Sequence, residues 1–580
     1  MDLSRIVLLG RRAKAETIDT NCGLLFEAAD DSSLVPKCAG ETIPCKELLG
    51  SREWAEDRSA ELLSKLVANS PEHKNIRVLE LFEEQMMHEL VGIFQALRID
   101  SFLRDSGVVS CELRGERNWF DRLLAVREIS GTKYRLEYRD GGSASGRTLR
   151  REYAGFRRTN WLQIGKLAAR RISPVYASWI EARLNKSERV VPGGMWFFGA
   201  AYNTTAIGVA YSSALPGLQH VYADPQESGR NLRECGLLGV PLFRFASWNK
   251  LPRRSELRAI SDSIVSRLKA VPLSGPGQQV RDLYLRSPRF SYLLDRLLPW
   301  GALLICAGER MLEEVRPELI VVGNAAFERA LLLLALQHGI PTVMLQHGVI
   351  HPYYRVLDQP VDHFLARGEF FRDCVGPMLK AKTEVLDIPE SKIPKEEIST
   401  GKDLVFVTSP VEVEARYDAR EVPEILLILL KEASSSKRKL VIRVHPTENV
   451  SLYERMVEER LPSLENRPQV SYSQRSPIDD VIKDAAVVVM FHSTLFMKCL
   501  AAGVPMVSPG WHDFPFKTRY AEEGVFNFAE DMEDLRSLVQ QGVQGKLQCP
   551  RQKLGCFVRP TQTDEVARFF NSIREIGRTR

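Results

Sequence analysis

Three segments of this chain place hydrogen-bonding side chains where a strand ends. In Leu440-Val441-Ile442-Arg443-Val444-His445-Pro446, an arginine and a histidine stand two residues apart, so on an extended strand both side chains leave one face. Pro446 stops the strand and leaves His445 projecting at its end. A guanidinium and an imidazole so placed suit a phosphate, with Arg443 donating two parallel hydrogen bonds. Taken alone, an arginine paired with a carboxylate and a histidine satisfied in the core account for the segment as well.

The second segment runs Val487-Val488-Val489-Met490-Phe491-His492-Ser493-Thr494 and continues as a helical pattern to Ala501-Ala502-Gly503-Val504-Pro505. Hydroxyls and free backbone N–H groups at a helix N-terminus make an anion site through geometry and dipole. Ser493 and Thr494 alone would be ordinary caps. Taken together, the two segments are neighbouring strand ends of one α/β unit and both offer donors to an anion, which points to a nucleotide monophosphate or diphosphate.

The third segment, Val343-Met344-Leu345-Gln346-His347-Gly348, runs from an apolar strand into an amide, an imidazole and a glycine. Gly348 permits positive φ and close approach of a ligand to the backbone, and a ligand-free turn explains the same residues. Four histidines, at 338, 347, 351 and 363, crowd this region. Their irregular spacing, with no cysteine partner and no HExxH pattern, speaks against a metal site. Asp479-Asp480 reads as the start of a surface helix.

The elements that must carry these residues form a regular series from about residue 190. Leu319–Gly323, helix Ala326–His338 and strand Thr342–Leu345 make one βαβ unit, closed by Gly339 and Pro341. Leu404–Thr408, Leu440–Val444, Val470–Tyr472, Ala486–Phe491 and Pro505–Ser508 read as strands of a second unit, with helices at Glu424–Ser434, Ile478–Ala485 and Leu495–Ala502. A polar linker, Ile388–Glu397, separates the units. The expected fold is therefore α/β, with two Rossmann-like units facing a cleft and an N-terminal α/β extension. Residues 1–185 form the extension, 186–388 the first unit and 399–580 the second. Within the extension, Tyr134–Tyr138 and Arg147–Tyr153 read as a β-hairpin, and Leu242–Phe245 in the first unit as a strand.

Composition bounds the function. The chain has 580 residues, a net charge of +5 and 44% hydrophobic residues, which excludes a disordered chain and gives no footprint of a nucleic-acid binder. Its ten cysteines hold no CxxC pair, so reduced thiols in a cytosol are expected. No apolar run approaches a span of about 18–20 residues, so the protein is expected to be soluble or at most peripheral. Arg147, Arg150, Arg151, Arg157, Arg158, Lys166, Arg170 and Arg171, interleaved with Tyr153, Phe156 and Trp161, suit either an anionic membrane face or plain solvent.

Gln346-His347-Gly348, Arg443-Val444-His445-Pro446, and Ser493-Thr494 with its helix resemble, in order and spacing, the motifs of GT-B-fold glycosyltransferases of capsule and surface polysaccharide synthesis. These include CMP-Kdo and CMP-sialic acid transferases and, distantly, CDP-glycerol glycerophosphotransferases. The resemblance covers roughly residues 315–515. It implies that His445, Pro446, Ser493 and Thr494 hold the nucleotide of a CMP- or CDP-linked donor, and that a C-terminal helix crosses back onto the first unit. His347 matches the histidine base of the glycerophosphotransferases, although Gln346 replaces their tryptophan. Glu328 and His347 are the expected base and its orienting partner, and Gln346, Gly348 and Lys498 line the cleft. No cofactor or metal is expected. The partners are a nucleotide-sugar donor, a polysaccharide or lipid-linked glycan acceptor and a peripheral membrane contact. A sugar-nucleotide epimerase and a non-catalytic carbohydrate-binding protein are the alternatives.

Overall fold

The computed structural model describes residues 5–9, 24–28, 34–37, 52–73, 76–105, 110–114, 117–130, 134–139, 190–199, 208–223, 228–237, 239–246, 253–323, 328–346, 360–386, 401–408, 421–445, 448–464, 466–474, 478–491, 493–510, 516–559 and 561–579. Runs such as Leu319-Ile320-Val321-Val322 and Val487-Val488-Val489 are buried throughout, as parallel strands covered by helices on both faces must be.

Three large sheets result among the described residues, beside a two-strand antiparallel ribbon of Glu72–His73 with Ile76–Arg77. The N-terminal sheet holds β1 (Arg5–Leu9), β2 (Leu24–Ala28), β3 (Leu34–Lys37), β4 (Ser110–Arg114) and β5 (Arg135–Arg139), in the order β3-β2-β1-β4-β5. The middle sheet holds β6 (Met195–Gly199), β7 (Gln219–Tyr222), β8 (Gly239–Pro241), β9 (Leu319–Gly323), β10 (Thr342–Leu345), β11 (His363–Ala366) and β12 (Lys382–Val385), in the order β8-β7-β6-β9-β10-β11-β12. The C-terminal sheet holds β13 (Asp403–Val407), β14 (Leu440–Arg443), β15 (Val470–Ser473), β16 (Ala485–Met490), β17 (Met506–Pro509) and β18 (Asn527–Ala529), in the order β15-β14-β13-β16-β17-β18. In each sheet the chain begins centrally, adds two strands on one side, then crosses back to build the other side. That is the order of a doubly wound α/β sheet. Every pairing within these sheets is parallel except β2 with β3. The expected α/β class and its two Rossmann-like units are present, and the extension is a third, smaller sheet of the same order.

Arg135–Arg139 is a strand that pairs in parallel with β4 at the edge of the sheet, and 147–153, the expected second arm of its hairpin, lie outside the described residues. One expected strand is corrected. Leu242–Arg244 is one 3₁₀ turn after the short strand β8, because an apolar run of this length does not distinguish strand from helix. The linker 388–397 and the basic stretch 147–171 also lie outside the described residues. Contrary to the expectation from apolar run length, one helical segment among the described residues, Arg289–Val315, is long and apolar enough to cross a membrane. Of its apolar 18-residue window, 65% is buried in the protein.

That burial joins the N-terminal unit to the middle sheet. Helix α1 (Arg52–Ala68) packs on α2 (Glu83–Asp105), and Phe82 just before α2 sits against Gly301 of α3 (Leu298–Val315). A Cβ at Gly301 would stand 2.8 Å from the Phe82 ring. After β9, α4 (Arg329–Gln337) is tied to the same unit by Arg329 Nη2, which donates to Glu83 Oε2 at 2.8 Å.

The middle and C-terminal sheets meet at an aromatic joint. Phe370 on α5 (Glu369–Val375), just after β11, lies 4.6 Å from the rings of both Tyr520 and Phe557, and Phe496 lies 5.1 Å from Phe557. Gly368 touches backbone there: a Cβ would meet the Cys556 carbonyl oxygen at 2.4 Å and Phe557 C at 2.5 Å. Arg559 N–H donates to Arg367 O at 2.9 Å, and its Nη1 to Val385 O at 3.1 Å. The last helix, α6 (Thr563–Thr579), then lays Val566, Phe570 and Ile573 on Phe197, Leu319, Val321 and Val343 of the middle sheet. It crosses back as the resemblance implies.

Gly368→Ala is expected to lower stability by about 1–3 kcal/mol, the cost of overpacking against backbone that cannot rotate away, read as an earlier urea midpoint. His220 on β7 is 3% exposed, and burial pushes its imidazole down to about 4 from the ordinary 6.5. Its Nε2 lies 2.7 Å from Ser212 Oγ, whose own proton goes to Gly208 O at 2.9 Å. The unfolded chain therefore binds the extra proton. The stability is fully present above about pH 6.5 and is lost progressively as the pH falls to about 4, roughly 3 kcal/mol in all. His220→Gln should lose less stability than the parent between pH 7 and pH 5.

Candidate functional site

The C-terminal sheet brings the two anion-binding segments together. Leu440, Ile442 and Val444 enter one core while Val441 enters the other, so Arg443 and His445 leave β14 on Val441's face. Phe496, Met497, Cys499 and Leu500 of α7 (Phe496–Ala502) pack into that same core. Val407 of β13 is in register with both Arg443 and Met490, so β14 and β16 end level with β13 between them. Two strand spacings separate Arg443 from the end of β16, about 10 Å, the reach of a phosphate-bearing ligand. This crevice lies beside the point where the winding of the sheet reverses, where ligands of open α/β sheets bind.

Arg443 is half-buried, and its Nη1 donates to Ser473 Oγ on β15 at 2.7 Å. Desolvation lowers the pKa of its guanidinium, which still remains charged at any working pH. Burial likewise holds the His445 imidazole below its ordinary value, favouring the neutral ring. Pro446 lies outside the described residues.

Ser493 and Thr494 follow β16, but the expectation of free amides at a helix start needs correction. The helix begins at Phe496 with Leu495 at its cap. Leu495 N–H donates to Ser493 Oγ at 3.3 Å, Phe496 N–H to Ser493 O at 3.2 Å and Met497 N–H to Thr494 O at 3.3 Å. A tight turn consumes these three donors, which leaves the Ser493 and Thr494 side chains ahead of a helix start whose first amides are spent. Lys498 Nζ is held by both carboxylate oxygens of Asp479, at 2.8 and 2.7 Å. Asp479 and Asp480 do start a short exposed helix.

In the middle sheet, β9 and β10 are neighbours with Gly323 opposite Leu345, so Glu328 and Gln346 come from adjacent strand ends. Glu328 is fully buried at the cap of α4 and is not a solvated helix residue. Gln346 is 4% exposed, and its Oε1 accepts from Arg367 N–H at 3.0 Å, which stitches β10 to β11. His347 and Gly348 lie outside the described residues, as does His351. Of the other crowded histidines, His338 caps α4, whereas His363 Nδ1 faces Glu384 Oε2 at 3.2 Å.

Four residues were missed from sequence. Thr408, at the end of β13, accepts from His445 N–H through Oγ1 at 2.9 Å and donates to Glu448 Oε2. Tyr453 OH donates to Glu448 Oε1 at 2.8 Å, and Gln474 Nε2 donates to His445 O at 3.0 Å and Glu448 O at 2.8 Å. Thr408 was findable, since a hydroxyl follows the apolar strand Leu404–Val407. Glu448, Tyr453 and Gln474 carry no motif.

No protein-family model matches the chain, and no curated protein matches it. Among solved structures, the UDP-GlcNAc 2-epimerase of Methanocaldococcus jannaschii in complex with UDP-GlcNAc and UDP is similar at 10% identity over 66% of this chain and 99% of that one, with a TM-score of 0.42. MurG of Acinetobacter baumannii is similar at 12% identity over 66% and 99%, with a TM-score of 0.38. A glycosyltransferase of Rickettsia africae is similar at 10% identity over 67% and 98%, with a TM-score of 0.37. Likenesses this distant assign neither a family nor an activity.

Gln346→Leu leaves the Arg367 amide without its acceptor and should cost about 1–3 kcal/mol in urea unfolding, the range for a stranded buried donor.

Proposed function

We propose that this protein is a metal-independent glycosyltransferase of the GT-B type. It moves a sugar, or a glycerol-phosphate-like group, from a CMP- or CDP-linked donor to a surface polysaccharide or glycolipid acceptor at the cytoplasmic face of a membrane. The observation that carries the reading is the strand order of the C-terminal sheet, which sets Arg443 and His445 on one side of β13 and the Ser493 and Thr494 hydroxyls on the other. In this reading the acceptor hydroxyl loses its proton to Glu328 or His347 and attacks the anomeric carbon. The bond from that carbon to the donor phosphate breaks, and the departing electron pair comes to rest on phosphate oxygens facing Arg443, His445 and the hydroxyls. Charge held by fixed donors at a leaving phosphate is the effect the geometry would supply, and a positioned carboxylate or imidazole supplies the base. The CMP or CDP preference rests on the motif resemblance.

The test is a thermal-shift panel of CMP, CDP, UDP, GDP and ADP on the parent and on His445→Ala. A nucleotide at a hundredfold excess over Kd stabilises the folded state by about 2.7 kcal/mol. One nucleotide should raise the Tm of the parent clearly more than that of the variant, whose binding is weakened; no shift with any of them removes the donor site. Glu328→Gln combined with His347→Ala should abolish transfer and keep nucleotide binding. Conversion of a nucleotide sugar to its epimer without acceptor would instead establish the epimerase.

A further inference from the structure

The described amides on either side of the end of β14 are already engaged within the protein. The His445 amide is bonded to Thr408 Oγ1, Pro446 has no N–H, and the Glu448 amide donates to His445 O at 3.0 Å. The aim of the His445 side chain depends on how its own backbone is held.

Thr408 holds it from the end of the central strand. Its N–H donates to Arg443 O at 3.0 Å, fixing the last residue of β14, and its hydroxyl reaches the next segment of chain. A threonine hydroxyl has one proton and two lone pairs, and Thr408 gives its proton to the Glu448 carboxyl group. The proton is therefore committed to Glu448, and a lone pair is left facing His445 N–H. Tyr453 OH occupies the other oxygen of the same carboxylate, while Gln474 ties down both carbonyls that bracket the turn. The β-branched side chain of Thr408 adds a stiff χ1. A rigid platform of this kind lets a neutral imidazole meet an incoming phosphate without first being ordered, and such pre-organisation converts into affinity.

We propose that Thr408 is a positioning residue of the donor site, oriented by Glu448, and that it acts on the nucleotide through the direction it imposes on His445. This rests on the donor-site reading above. Thr408→Val keeps the shape and removes both hydroxyl bonds. Thr408→Ser keeps the hydroxyl, and Glu448→Gln keeps the shape but substitutes an amide that can also donate.

The experiment is calorimetric titration of CMP, CDP and UDP into the full chain, for the parent, Thr408→Val, Thr408→Ser, His445→Ala and the double variant Thr408→Val with His445→Ala, with urea stability measured alongside. Thr408→Val should weaken binding about tenfold, the worth of one aligned hydrogen bond. Thr408→Ser should recover most of the loss. The decisive comparison is non-additivity: in the His445→Ala background, Thr408→Val should cost no further affinity, because the imidazole it aims is gone. A merely structural threonine would lower stability in both backgrounds and affinity equally in both, and that result overturns the proposal. Unchanged affinity in Thr408→Val overturns it as well. If Thr408→Val does not fold, Glu448→Gln takes its place in the same cycle, with the same two results required. A folded parent that binds none of the three nucleotides overturns the donor-site reading itself, which separates that failure from this one.

Discussion

The contact on which this architecture depends is the approach of one backbone to another at Gly368. No side chain fits there, because the carbonyls of Cys556 and Phe557 occupy the space a Cβ would take. That approach brings the residues just past β11 against the segment leading to the last helix. Phe370, Phe496, Tyr520 and Phe557 then close over it as one aromatic cluster. Phe370 follows β11 and Phe496 follows β16, so the joint lies at the carboxyl ends of both sheets and turns those ends toward each other. Non-directional burial holds the two units, and the glycine fixes how near they come.

Beyond the joint the chain commits its last helix to the opposite unit. Val566, Phe570 and Ile573, spaced four and three residues apart, form one apolar stripe buried on the middle sheet, and Glu318 pairs with Arg574 at its edge. The two sheets are thus bridged twice, by the aromatic cluster and by this helix. The N-terminal sheet is bound to the middle unit through Phe82 on Gly301 and through Glu83 on Arg329, the residue that follows Glu328. Burial pushes the nearby Glu80 carboxyl up, while Arg329 draws it down. The extension is therefore built into the wall that carries the Glu328 helix.

At the candidate site, polarity is concentrated at the ends of strands whose interiors are wholly apolar. Burial lowers the pKa of the His445 imidazole, and the His445 and Glu448 amides are satisfied within the protein. On the other side of β13 the amides of Leu495, Phe496 and Met497 are satisfied likewise. Arg443 supplies a fixed positive charge on the His445 side of β13.

The sequence by itself determined which segments are strands and helices wherever apolar runs were long or strictly periodic, as in Leu319–Gly323, the strand read as Ala486–Phe491 and the helix around Ala330–Leu334. It also placed Arg443 and His445 on one face, since a two-residue spacing on a strand leaves no alternative. Local physics settles those features. Only the tertiary structure decided the strand order that puts β13 between β14 and β16, the parallel pairing of Arg135–Arg139 with β4, and the burial of Glu328. Each depends on which distant segment packs alongside, and nothing in a short window of residues encodes that. The same holds for Thr408, Glu448, Tyr453 and Gln474: they come from three stretches of chain far apart in sequence, and their types acquire meaning only once the sheet has brought them within hydrogen-bonding distance.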